Sequence, residues 1–232
     1  MDQVQEQNAN HEKAVEVRMG GTIVQADFAV PESACGVVLF AHGSGSSRRS
    51  PRNRYVVEIL QEAGLATLLM DLLTPEEEAF DAYTAALRFN IGLLATRLVE
   101  ATRWLHDQPQ TAQMRIGYFC ASTGAAAALV AAAELPVLVA AVVSRGGRPD
   151  LAGKALWQVA APTLLIVGGK DSTVLELNRQ AFAELTCEKR LEIVPDATHL
   201  FEEPGGIGSR SPTDKELVCP LLESHARQTT GG

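Results

Sequence analysis

No stretch of this 232-residue chain runs 18 residues without a charge or a helix breaker, so no transmembrane helix is expected. Aromatic residues make up only 5%, too few to build a stacking platform for single-stranded bases. Positive charge is also scarce. Twenty Lys and Arg stand against 28 Asp and Glu, for a net charge of −8. A surface of that sign argues against nucleic acid as a partner, because affinity there rests on neutralising phosphates. The four cysteines, Cys35, Cys120, Cys187 and Cys219, form no C-x-x-C pair and no zinc spacing. The five histidines are scattered, without H-E-x-x-H, and offer no metal set. Neither G-K-[ST] nor G-x-G-x-x-G occurs, which removes the usual phosphate cradles. Residues 1–13 are polar and lack the apolar centre of a signal peptide, so a reducing, cytoplasmic setting is expected.

Aliphatic residues, by contrast, are plentiful, within 46% hydrophobic overall. Length and composition suit one large globular domain or two small ones. Across residues 14–204, strand-like runs alternate with helix-like stretches. Residues 15–19 and 22–30 read as strands joined at Gly20-Gly21, a hairpin signal. Residues 36–41, 65–70, 114–119, 137–143, 163–167 and 191–194 read as further apolar strands. A helix is expected from Pro51, with Ser50 as N-cap, to near Ala63, where Gly64 ends it. A second starts at Thr74-Pro75-Glu76, with Glu76-Glu77-Glu78 favoured in its first turn by the helix dipole. A long one over residues 88–106 turns Leu93, Leu94, Leu98, Val99 and Trp104 to the core. Further helices are read over 123–133, 151–157 and 175–185. Apolar central strands with helices on both faces make a doubly wound, mostly parallel α/β sheet. Residues 1–13 and 205–232 stand apart as a polar segment and an atypical tail. In the tail, Thr213-Asp214-Lys215-Glu216 matches a capping box, and Pro220 interrupts the pattern of Leu217, Val218, Leu221 and Leu222.

The chemistry gathers at strand ends. Residues 116–119 run an apolar strand into Cys120-Ala121-Ser122-Thr123-Gly124, where a small-residue helix begins. This is the strand–turn–helix setting of a nucleophile elbow, G-x-S-x-G, with Cys120 in place of the first glycine. Gly168-Gly169-Lys170-Asp171 and Asp196-Ala197-Thr198-His199 each follow a predicted strand, on the edge where open α/β sheets place their sites. Ser122, Asp171 and His199 thus follow one another in the Ser–acid–His order. His199 would take the serine proton and later return it to the leaving group; Asp171 would hold the imidazole tautomer. Asp196 competes for the acid role, but its place three residues before His199 suits a loop-shaping carboxylate. After the strand 36–41, His42-Gly43-Ser44-Gly45 can turn backbone N–H groups inward. That of Ser44 would join the N–H of Thr123 as an oxyanion hole. Gly43, Gly45 and Arg145 are candidates to touch substrate. His42 is read as a satisfied polar group that shapes the loop. Arg48, Arg49, Arg52 and Arg148 read as loop charges or ion-pair partners.

With these segments in hand, the chain resembles the α/β-hydrolases, and among them the dienelactone-hydrolase-like branch of small, lidless enzymes. The resemblance covers residues 15–204 and is carried by the His42 loop, the Ser122 elbow, the Asp171 turn and the His199 turn. It implies a single domain without a lid, an open, shallow site and no cofactor. Dienelactone hydrolases use cysteine at the elbow where this chain has Ser122, which points to a serine carboxylesterase acting on short-chain esters. Hydrolysis of lactones or thioesters and acyl transfer stay open on the same triad, as does a non-catalytic receptor or scaffold. The expected partner is a small-molecule ester, with neither nucleic acid nor membrane involved, and the protein a monomer or homodimer. Family members follow the histidine turn with a long closing helix. Here either that helix is short and kinked or the tail is foreign to the fold.

Overall fold

The computed structural model describes residues 12–43 and 45–201. The sheet begins as an antiparallel hairpin, β1 (Lys13–Met19) and β2 (Thr22–Ala29). β3 (Gly36–Ala41) and β4 (Leu65–Met70) are apolar nearly throughout and buried at every position. α1 (Pro51–Glu62) crosses between them. α2 (Pro75–Thr84) and α3 (Ile91–Asp107) lead to β5 (Arg115–Ser122), which runs directly into α4 (Thr123–Glu134). β6 (Val139–Gly147), a 3-10 segment (Pro149–Gln158), β7 (Thr163–Gly168), α5 (Ser172–Glu184) and β8 (Lys189–Val194) complete the order.

The eight strands form one sheet in the order β1-β2-β4-β3-β5-β6-β7-β8. β2 pairs antiparallel with both β1 and β4, and every other pair is parallel. Successive residues of a strand point to opposite faces, so one strand feeds two cores. Val37 and Leu39 of β3 join α3 and α4 on one face, whereas Val38 and Phe40 meet Val56, Val57 and Leu60 of α1 on the other. The result is a single-domain α/β fold, as expected. Parallel pairing carries the C-terminal ends of β3, β5, β6 and β7 to one edge. No helix among the described residues is long and apolar enough to cross a membrane.

Four local expectations are corrected. Ser50 does stand before α1, but its side chain makes no capping bond, and Pro51 alone sets the entry. The long helix begins at Ile91, not residue 88, because Ala85 takes a left-handed φ of 54° and Asn90 caps a new start. Leu93 is consequently only half-buried, while Leu94, Leu98 and Val99 are buried. β6 starts later and ends later than its apolar run suggests: Val137 is exposed in a turn, and Ser144 and Arg145 lie inside the strand. The capping-box segment near residue 213 and Ser44 lie outside the described residues.

Candidate active site

The elbow is built by a strand and a helix that nearly touch. Ser122 ends β5 and stands at the N-cap of α4 with φ 49° and ψ −130°, a conformation an L-residue adopts only under strain. Gly124 packs so closely that a Cβ there would overlap the carbonyl oxygens of Ala41 and His42. Strand β3 therefore ends against the first turn of α4. Gly43 lies over the nucleophile itself, since a Cβ on it would fall 2.5 Å from the Ser122 Cβ and 3.4 Å from its Oγ. The Ser122 carbonyl accepts from Arg148 N at 2.9 Å, which anchors the turn on its far side. The Thr123 N–H is one of the first N–H groups of α4 and has no partner within the helix. Cys120 faces away from the site. It is buried, its Sγ donates to the Val143 carbonyl at 3.2 Å, and burial pushes its thiol pKa up. A thiol of that kind is not a nucleophile.

Two turns at the ends of β7 and β8 are lashed together. Lys170 N donates to the Ala197 carbonyl at 3.0 Å, and Gly169 N to that of Val194 at 2.8 Å. This brings His199 Nδ1 to 2.8 Å from Asp171 Oδ2. Asp171 Oδ1 meanwhile accepts from Val174 N at 3.3 Å, so one carboxylate caps α5 and orients the imidazole. Asp196, the competing acid, is exposed and paired with Lys170 at 3.5 Å. Ser122 and His199 open into one pocket of about 210 Å³, together with Gly43, Arg52, Asn53 and Arg145.

Arg145 is only 6% exposed, and its guanidinium lies 5.4 Å from the centre of the Phe119 ring. Its Nη2 donates to Asn53 Oδ1 at 3.4 Å. Asn53 and Leu200, which also lines this pocket, were missed in the sequence reading. Asn53 stands three residues into α1 between Arg52 and Arg54, and nothing in that polar stretch sets it apart. Of the other arginines, Arg48 pairs with Asp71 and Asp27, and Arg148 with Asp150 at 2.8 Å.

A second cavity, of about 160 Å³, lies beside the first. Gly43 and Ser46 line both, while Thr123 and Gly45 line only the second. Its far wall belongs to the segment between β4 and α3. Thr74 and Glu77 form a reciprocal capping box, and Arg97 of α3 binds Glu77 Oε1 at 2.6 Å and the Leu72 carbonyl at 3.2 Å. The turn after α2 is held by Asp81, which accepts from Leu87 N at 2.7 Å and Arg88 Nε at 2.6 Å. Burial alone would raise the Asp81 pKa. The hydrogen bonds from Arg88 and Leu87 outweigh it, and the carboxyl sits below its ordinary value.

His42 is structural, as expected. Nδ1 lies 3.0 Å from the Gly43 carbonyl and Nε2 accepts from Leu72 N at 3.3 Å, an arrangement that requires the neutral Nδ1–H tautomer. Burial lowers its pKa, against smaller raising contributions from the Gly43 carbonyl, Asp71 and Glu78. The unfolded chain therefore binds the proton first as pH falls. The contribution of His42 is present above its unfolded pKa of about 6.5 and is lost as pH drops through the folded value. Urea unfolding at pH 7 and pH 5 is expected to show a larger loss of stability for the wild type than for His42→Gln.

Among the described residues no group of three His, Cys, Asp or Glu side chains is placed to hold a metal ion. Comparison with known proteins decides the family. The sequence model of the dienelactone hydrolase family matches residues 24–220. The chain belongs to the dienelactone hydrolase family. A crystal structure of a dienelactone hydrolase from Anabaena variabilis is 59% identical, with a TM-score of 0.85 over 89% of this chain and 95% of that one. Est1E from Butyrivibrio proteoclasticus, 14% identical, shares the fold at a TM-score of 0.73, over 90% of this chain and 98% of that one. A Mycobacterium tuberculosis protein bearing the name "Putative phosphoribosyl transferase" is 60% identical over 214 residues, which is 92% of this chain but 46% of that protein. The chain thus spans about half the length of the curated relatives it matches. The likeness to Est1E, at 14% identity, is one of fold alone.

Proposed function

We propose that this hydrolase cleaves short-chain carboxylic esters through an acyl-enzyme on Ser122. The observation that carries the reading is the hydrogen-bond distance of 2.8 Å between His199 and Asp171 in a turn that opens beside Ser122. Ser122 Oγ attacks the acyl carbon while its proton passes to His199 Nε2. The electron pair of the carbonyl moves to oxygen, where the Thr123 N–H receives it. Asp171 keeps Nδ1 protonated and offsets the charge of the imidazolium. The tetrahedral intermediate collapses, the C–O bond to the alcohol breaks, and His199 returns the proton to the departing oxygen. A water molecule then repeats the sequence, with His199 as base, and releases the acid and the free serine. The chemistry asks for no metal or cofactor, only a small-molecule ester.

Lactone hydrolysis is a second reading, favoured by 59% identity to the Anabaena protein called a dienelactone hydrolase. A lactone is an internal ester, and the same steps open it. The chain matches 46% of the mycobacterial relative whose name gives phosphoribosyl transfer, and its own sequence holds neither G-K-[ST] nor G-x-G-x-x-G to cradle a phosphate. The test is 4-nitrophenyl acetate mixed with enzyme in a stopped-flow instrument. A burst of one 4-nitrophenolate per enzyme followed by steady turnover supports the acyl-enzyme. Release no faster than in buffer sinks it.

A further inference from the structure

We propose that the two cavities flanking Gly43 divide an ester between them, the acyl group entering the cavity beside Thr123 and the leaving group lying beside His199. The inference rests on the hydrolase reading above and adds which part of the substrate each wall selects. At the tetrahedral carbon, three of the four bonds have fixed directions. One goes to Ser122 Oγ, and the oxyanion points to the Thr123 N–H. The leaving oxygen must come within about 2.6–3.2 Å of the imidazole that protonates it. Of the two cavities, His199 lines the 210 Å³ pocket and not the other, so the alcohol belongs there. The acyl substituent is the remaining direction, away from His199. The cavity that Thr123 and Gly43 line together is the space available to it.

The walls of that cavity then set the acyl class. Leu72, Leu73, Ala82 and Leu94 make it apolar. Its volume of about 160 Å³ is close to that of an apolar protein cavity of about 150 Å³ that holds one benzene molecule. The charged groups at its margin sum to negative. Asp71 is paired with Arg48 and Asp81 with Arg88, while Glu78 remains as an exposed carboxylate. The acyl group accepted is therefore uncharged and no larger than a single ring. Benzoate-sized acyl groups fit, anionic half-esters are repelled, and long chains are excluded.

The experiment compares kcat/KM for 4-nitrophenyl benzoate and acetate, which share a leaving group. Ala82 is exposed on α2 and tolerates a larger side chain without threatening the core. Ala82→Leu is expected to lower the benzoate-to-acetate ratio at least tenfold, and Leu94→Ala to raise relative activity on the octanoate ester. Leu200→Ala, in the other pocket, is expected to shift that benzoate-to-acetate ratio less than twofold. Thermal unfolding reports whether each variant folds; if Leu94→Ala does not, Ala82→Leu decides. An unchanged ratio in Ala82→Leu, or an equal shift in Leu200→Ala, overturns the division while leaving the hydrolase intact. A wild-type enzyme that cleaves none of these esters defeats the hydrolase reading and this inference with it.

Discussion

Ser122→Ala is expected to lower kcat/KM for 4-nitrophenyl acetate by about 10⁴-fold or more. The variant loses the atom that forms the acyl-enzyme, and nothing near it can substitute, because Cys120 is buried with its sulfur on the Val143 carbonyl. His199→Ala is expected to cost a similar factor. The double variant should be little worse than either single one, since the two side chains act as a unit. A Ser122→Gly variant separates function from strain. Ser122 holds φ at 49°, where glycine pays no steric cost. The expected result is an inactive protein stabilised by about 1 kcal/mol or more, read from urea unfolding. Equal stability of Ser122→Gly and wild type would show that the elbow is relaxed.

The second large effect is at Asp171. Asp171→Asn is expected to lower kcat by about 10⁴-fold, because the amide can present N–H to Nδ1 and hold the wrong tautomer. The same substitution should leave stability nearly unchanged. Asn is as good an N-cap as Asp, so the bond from Val174 N survives. Asp171→Ala removes both functions and is expected to cost about 1 kcal/mol of stability as well. The comparison distinguishes a capping residue from one that also orients His199. Asp196→Asn, at an exposed carboxylate paired with Lys170 across 3.5 Å, serves as the control and is expected to change kcat less than twofold.

How much of this could be read from the sequence depends on the range of the forces involved. The strands Gly36–Ala41 and Leu65–Met70 came out residue for residue, because short, almost wholly apolar runs, the second bounded by Gly64 and Asp71, are a local signal. The order Ser122, Asp171, His199 at strand ends was equally visible, since a parallel sheet carries those ends to one edge. Arg145 was not. A charge after an apolar run reads as loop, yet β6 continues through it, because Phe119 and Asn53 accommodate the guanidinium from other strands and helices. The contact of Asp171 with His199 was expected, but its second use as the cap of α5 was not, because that helix was read from residue 175 and starts at Ser172. The cavity beside Thr123 had no sequence signature at all. It exists because Arg97 and Asp81 hold the segment before α3 away from the Gly43 loop. The expectation of an open, shallow site made no provision for this neighbouring cavity.

The central claim is that Ser122 is a nucleophile made reactive by His199. It is tested most directly by treating the protein with a fluorophosphonate probe and mapping the adduct by peptide mass spectrometry. Phosphonylation requires an activated hydroxyl beside an oxyanion hole and leaves a permanent mark on the residue that attacked. The account predicts a single adduct on Ser122, abolished in Ser122→Ala and slowed by orders of magnitude in His199→Ala. An unlabelled Ser122 in folded protein, or labelling that His199→Ala leaves undiminished, would contradict it.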